Sequence, residues 1–284
     1  MLKKIYNLIK ILRKLSVSGA VETLEEFKPL PKTLKLIFFI FSLGSTNKTS
    51  NLKKTSGEKL CQSLEDMGTT FIKLGQFLAT RPDIIGEEVS KKLEKLQDKL
   101  PAFSTKDAKI ILEREIGSKS FKDILYLSDP VAAASIAQVH FAKLKTQEGE
   151  KEVAIKILRP NIHALVNDEL DALMFLAYIV ESIFIKTKRL KLVEIINLLK
   201  EITNVEMDLR FEAAAASELR ENTINDKGIE VPKIYWNYTS KEVMALDKIN
   251  GVSIRETEKL KELNIDLKNL SRNLIQTFLK QSVR

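Results

Sequence analysis

Pro130-Val131-Ala132-Ala133-Ala134-Ser135-Ile136-Ala137-Gln138-Val139-His140, followed by Glu152-Val153-Ala154-Ile155-Lys156-Ile157-Leu158, is the stretch that decides the fold. Val153, Ile155 and Ile157 alternate along the second segment, the period of two that sends one face of a strand inward. Ile136–Leu144 and Phe121–Leu127 are also short and rich in β-formers, and Lys145–Lys151, with Gly149, reads as a polar hairpin loop. Together these segments predict a small antiparallel sheet. By itself, Ala132–Ser135 would read as a tight alanine-rich turn at a helix start.

Helical periods lie on either side. Upstream, a polar joint at Ser45–Ser56 precedes Leu60, Leu64, Met67, Phe71, Leu74 and Leu78, spaced by threes and fours, which predicts a helix from Glu58 to Thr80. Arg81-Pro82 ends it, because proline offers no N–H to the next turn. A second helix is expected over Glu87–Lys99 and a third from Ser104, with Asp107 completing an imperfect capping box and Gly117 the stop. Downstream, helical patterns occupy residues 163–186 and 191–221, a strand pair is expected at Val231–Tyr238 and Glu242–Ile249, and a last helical pattern runs on from Thr257. The order of helices, strands, helices, strands and helix is that of an α+β chain.

The net charge of +8 sits at one end: residues 1–60 hold twelve Lys/Arg against four Glu, so the rest is formally neutral. A nucleic-acid domain would carry its basic face on the folded body, so no nucleic-acid partner is expected. In the first helix Lys3, Lys4, Lys10, Arg13 and Lys14 alternate with Ile5, Leu8, Ile9, Ile11, Leu12 and Leu15. Such a helix either lies on an anionic membrane surface or packs on its own domain. The longest apolar run, Leu36–Leu43, falls far short of the roughly twenty residues of a spanning helix. One cysteine, Cys61, excludes an internal disulfide and fits a reducing compartment.

Val153-Ala154-Ile155-Lys156 matches the strand signature of protein kinases, whose lysine meets the α- and β-phosphates of the nucleotide. Upstream, Ala132, Ala134, Ala137 and Val139 fill the frame G-x-G-x-x-G-x-V with alanine where glycine would stand. Alanine resists positive φ and leaves a methyl between backbone and ligand, so a phosphate would be held in a different geometry. The stretch Asp129–His140 resembles the alanine-rich loop of the UbiB family of atypical kinases. Phe71-Ile72-Lys73-Leu74-Gly75-Gln76 is similar to that family's KxGQ signature, and Glu206-Met207-Asp208 with Glu212 to its ExD motif and adjoining glutamate.

The resemblance implies a kinase-like N-lobe (residues 121–250), preceded by a basic amphipathic region (1–56) and a helical extension (57–120), and followed by the start of an incomplete helical C-lobe (251–284). It implies ATP or ADP at Ala132, Ala133, Ala134, Ser135, Ala137, Val139 and Lys156, with Glu212 pairing Lys156. Asp247 and Ile249 would lie in the segment that meets the adenine, and Lys73, Gly75 and Gln76 would fold over the site with Lys73 answering Glu206 and Asp208. Lys73 and Gln76, three apart, share a helix face, whereas Asp208 and Glu212, four apart, would form a like-charge pair.

The family's catalytic loop, H-A-D-x-H-P-G-N, and a D-F-G tripeptide for Mg²⁺ do not occur in these 284 residues, and His140 and His163 read as structural. The chain alone is therefore expected to turn over no nucleotide. Its place would be the cytoplasmic face of the inner membrane, held peripherally. Expected partners are the membrane surface and ubiquinone-biosynthesis proteins or lipid intermediates, with a separate polypeptide carrying the remaining C-lobe as a further candidate. Rival classes are a non-enzymatic scaffold or regulatory module and the remnant of a split or frameshifted gene.

Overall fold

A computed structural model describes residues 2–17, 32–43, 56–94, 96, 100–183 and 185–283. The polar joint expected at 45–56 lies almost wholly outside the described residues, as do positions 95 and 97–99 at the far end of the second expected helix. The architecture is α+β, a four-stranded antiparallel sheet with many helices, as the sequence predicts. The chain divides into two compact units, Met1–Ala108 with Pro130–Gln138 and Ile157–Met207, and Lys109–Asp129 with Val139–Lys156 and Asp208–Arg284.

The first unit is helical. It contains α1 (Leu2–Val17), α2 (Lys32–Ser42), α3 (Ser56–Met67), α4 (Thr69–Ala79), α5 (Pro82–Ile85), α6 (Glu87–Leu93), α8 (Ile162–Ile183) and α9 (Leu192–Glu206). The helix expected from Glu58 to Thr80 is two helices, because Gly68 takes φ +97°, a left-handed value that suits glycine, between α3 and α4. Gly68 O then accepts the first helical bonds of α4 from Phe71 and Ile72. Pro82 opens α5 at its first position, where a missing N–H costs nothing. α1 packs on α8 and α2. Ile11 and Leu12 are buried, and Lys14 Nζ reaches Glu169 on α8 at 3.0 Å and Met67 O at 2.9 Å. Of the two alternatives open for α1, packing on its own domain describes this face.

The sheet runs β1 (Ile124–Ala133), β2 (Ala137–Thr146), β3 (Gly149–Leu158), β4 (Val243–Asp247) in that spatial order. The β2–β3 hairpin and the inward Val153, Ile155 and Ile157 are where the alternation put them. β1 starts later and runs further than expected, taking in Ala132 and Ala133. It is an edge strand, and an edge tolerates a Pro130 that donates no ladder bond. The strand expected at Val231–Tyr238 is not one. It makes a single bridge, Ile234 to Leu246, then coils into a 3₁₀ turn at Trp236–Tyr238, since Pro232 cannot donate to a ladder.

The second unit holds the body of α7 (Thr105–Phe121), most of the sheet, α10 (Leu209–Thr223), β4, α11 (Thr257–Glu262) and α12 (Leu267–Val283). At the start of α7 Asp107 N–H donates to Ser104 Oγ at 3.0 Å and that hydroxyl donates to Asp107 Oδ2 at 2.7 Å, and the regular helix breaks at Gly117 with φ +78°. The last helical pattern is two helices, interrupted where Asn264 adopts φ +54°. No residue of α12 is buried, and Leu274, Ile275 and Phe278 lie exposed.

Candidate functional site

Lys156 stands between Ile155 and Ile157, so the period of two turns it away from the buried face. Its Nζ lies 2.9 Å from Glu212 Oε1 and 2.7 Å from Oε2. Glu212 sits in the first turn of α10, and buried Leu209 and Ala213 seat that helix. Leu209 N–H donates to Lys241 O at 2.9 Å, which ties the helix start to the approach of β4. The two side chains keep 24% and 49% of their exposure, so the pair contributes about 0–1 kcal/mol.

Asp208 is not part of a like-charge pair on a helix face. The pattern expected over 191–221 breaks at Met207, and Asp208 is the N-cap of α10, accepting Arg210 N–H at 3.2 Å. Its carboxylate also accepts from Arg210 Nε at 2.9 Å and Nη2 at 2.6 Å. The Arg210 guanidinium holds Asp208 below the usual carboxylate range. Glu206, the last residue of α9, meets Lys73 Nζ at 2.9 Å. Of the carboxylates assigned to Lys73, Glu206 is therefore its partner and Asp208 belongs to Arg210. Arg210 was not anticipated, although an Asp before a helical run is a recognisable cap signal.

On α4, Gly75 is buried for a steric reason. A Cβ there would lie 2.4 Å from Leu96 Cδ1 and 2.8 Å from Leu64 Cδ1. Gln76, one residue on, is half-buried. The alanine-rich segment is a hairpin turn: β1 ends at Ala133, β2 begins at Ala137, and Ala134 N–H donates to Ala137 O at 2.7 Å. None of Ala132, Ala133, Ala134, Ser135 or Ala137 has positive φ, so the turn closes without the conformation that glycine would supply. Ser135 and Ala137 are buried, Ala132 is exposed, and Val139 is half-buried on β2.

Asp247 ends β4, and its carboxylate accepts Tyr235 OH at 2.7 Å and Lys233 N–H at 3.1 Å. Burial, with Asp247 beside it, pushes the Tyr235 hydroxyl up to about 12. Both residues border an open cleft of about 1120 Å³ that also involves Tyr238, Lys145, Lys151 and Lys233 but neither Lys156 nor Glu212. The Asp247 side chain is thus committed to this cleft, and its backbone N–H donates to Lys233 O at 3.0 Å. Lys248 N–H donates to Glu152 O at 3.3 Å, and Ile249 beyond it is exposed. His140 is fully buried with Nδ1 2.8 Å from Ser128 O, and burial pushes its pKa down.

Residues 95–284 match the family model described as ABC1 atypical kinase-like domain. The chain belongs to the UbiB family of such proteins. It is 33% identical over 267 residues to "Probable protein kinase UbiB" of Marinobacter nauticus, covering 93% of this chain and 47% of that protein. To the protein of the same name from Histophilus somni it is 34% identical over 287 residues, covering 100% of this chain and 51% of the other. The Pseudomonas aeruginosa protein, 34% identical over 234 residues, matches 82% of this chain over 43% of its own length. The chain spans about half the length of the curated relatives it matches. A kinase-like family uses nucleotide and metal in general. Among the described residues no three of His, Cys, Asp and Glu converge as a metal-holding group. Among the described residues no helix is long and apolar enough to cross a membrane.

Proposed function

We propose that this UbiB-family chain is a nucleotide-binding part of an atypical kinase or ATPase that supports ubiquinone biosynthesis, with ATP or ADP as its ligand. The bidentate contact of Lys156 with Glu212 carries the reading. In kinases that strand-lysine and helix-glutamate pair must be in place for the lysine to meet the phosphates. Lys156 supplies the charge, and Glu212 fixes its stem and rotamer before the ligand arrives. The amides of the Ala132–Val139 segment add donors, and Ile249 backbone is assigned to the adenine edge. ATP would supply a transferable phosphoryl group. No transfer step is assigned to these residues, because they include no catalytic-loop aspartate of the family's kind.

Titration of the purified chain with a fluorescent ADP analogue tests the proposal. Binding by the wild type, weakened about tenfold or more by Lys156→Ala, is the expected result, since about 1.4 kcal/mol is one charged hydrogen bond's share. Equal affinity in both proteins overturns it. The chain alone should hydrolyse no ATP with Mg²⁺ present, and turnover abolished by Lys156→Ala would overturn that part.

We propose the membrane surface as a partner through α2. Leu36, Phe39 and Ile40 of α2 and Tyr6 of α1 are exposed apolar groups, with Lys32 and Lys35 exposed beside them. Apolar groups next to lysines suit an anionic lipid interface.

A further inference from the structure

The alanine-rich turn carries no glycine, yet it must keep one shape if its amides are to meet a phosphate. Donors from outside the turn hold it. Thr69, the first residue of α4 and 4% exposed, donates its hydroxyl to Ser135 O at 3.0 Å. Arg159, one residue past β3, donates to Ala134 O from Nε at 3.0 Å and from Nη2 at 2.8 Å. Its backbone N–H donates to Ile136 O at 2.9 Å. Three successive carbonyls are thus engaged.

In a planar trans peptide the C=O and the following N–H point in opposite directions. Holding the carbonyls of Ala134, Ser135 and Ile136 against these donors therefore turns the N–H groups of Ser135, Ile136 and Ala137 the other way. Arg159 is itself anchored, with Nη1 2.9 Å from Pro101 O, Nη2 3.3 Å from Leu100 O, and the guanidinium 5.9 Å from the Phe103 ring centre. Gln138 completes the attachment: its Oε1 accepts Phe103 N–H at 2.9 Å and its Nε2 donates to Phe103 O at 3.2 Å.

We infer that Arg159 and Thr69 are positioning residues for the nucleotide phosphates, holding the alanine-rich turn so that its amides rather than its carbonyls face the ligand. The inference rests on the nucleotide reading above. It also makes α4, which carries Lys73, Gly75 and Gln76, a support of the turn through Thr69.

The test uses Thr69→Val, Thr69→Ser, Arg159→Gln and Arg159→Lys in the full chain. Affinity for a fluorescent ADP analogue, competition by adenosine, and amide exchange over residues 132–139 are read for each. Thr69→Val and Arg159→Gln should speed exchange in that segment and weaken the ADP analogue by about fivefold to tenfold, the equivalent of one lost hydrogen bond. Adenosine, which has no phosphate, should compete as well as before. Thr69→Ser keeps the hydroxyl and should restore wild-type binding, while Arg159→Lys cannot span two carbonyls and should not. Thr69→Val is nearly isosteric and decides the matter if an Arg159 variant does not fold. Unchanged ADP affinity in Thr69→Val, or equal losses for ADP and adenosine, overturns the positioning role. A wild type that binds no ADP overturns the nucleotide reading itself and the positioning role with it.

Discussion

Replacing Gly75 by alanine puts two opposed effects in competition on α4. Alanine is the better helix former by about 0.8–1.0 kcal/mol, so at an open position the change would stabilise. Gly75 is not open. The new methyl would sit 2.4 Å from Leu96 Cδ1 and 2.8 Å from Leu64 Cδ1, where carbon atoms normally rest about 3.5–4.0 Å apart. Each leucine end must retreat by about an ångström or more, and both are buried, at 7% and 6% exposure, in a close-packed interior. Overpacking of this kind costs about 1–3 kcal/mol. The contacting atoms are flexible side-chain ends, which favours the lower half of that range. Set against the helix gain, the net expectation is a small destabilisation of about 0.5 kcal/mol.

Because the closer of the two contacts is the one to Leu96, a double-mutant cycle with Leu96→Ala isolates its share. Leu96→Ala alone removes a buried side chain and should cost about 2–4 kcal/mol. In that background the Gly75 methyl gains room, and Gly75→Ala should become neutral or stabilising. The readout is amide exchange within α4, supported by urea unfolding followed through helical circular dichroism. The single tryptophan, Trp236, lies in the other unit and would not report on this one. An unaltered or raised stability for Gly75→Ala in the wild-type background would refute the steric argument, and so would an equal loss in both backgrounds.

Tyr235 should titrate late in an alkaline scan of tyrosinate absorbance. Its folded value of about 12 exceeds the ordinary 10, so it favours the folded state below pH 10, and that contribution fades between 10 and about 12. Asp247→Asn should move the transition down, and an unmoved transition would speak against the contact. Sedimentation with anionic liposomes should fall when Leu36, Phe39 and Ile40 are changed to serine, and fall further with salt, since each nearby lysine or arginine adds about 1 kcal/mol. Binding that is indifferent to both would remove α2 as the membrane-facing element.

How much of this was legible in the sequence depends on where a local signal was sufficient. The β2–β3 hairpin, the orientation of Lys156 and the cap at Ser104 follow from spacing within a few residues, and the structure has them in place. The contact of Lys156 with Glu212 came instead from the family resemblance, because nothing local joins positions 56 residues apart. The extension of β1 through Pro130 and the alanines was hidden. Proline and alanine are poor strand residues, and only a place at the sheet edge makes them acceptable. The carbonyl anchors Thr69 and Arg159 were hidden for a related reason: each acts on a backbone oxygen, which every residue possesses and no sequence pattern marks.

The seven positions from Glu206 to Glu212 carry the least legible decision in the chain. Read as one helix, they would place Asp208 and Glu212 on a shared face and leave a like-charge repulsion to be offset by lysines. The helix stops instead at Glu206, and the Asp208 carboxylate accepts both the backbone N–H and the guanidinium of Arg210. A capping aspartate contributes about 1 kcal/mol, more than a helical repulsion of a few tenths would remove. The break therefore settles the charge conflict locally. It also separates the two glutamates: Glu206 closes with Lys73 inside the first unit and Glu212 with Lys156 inside the second. Each lysine thus has a carboxylate of its own unit. A loss at one pair need not propagate to the other, so a variant of Glu206 and a variant of Glu212 are separable probes of the KxGQ helix and of the strand lysine.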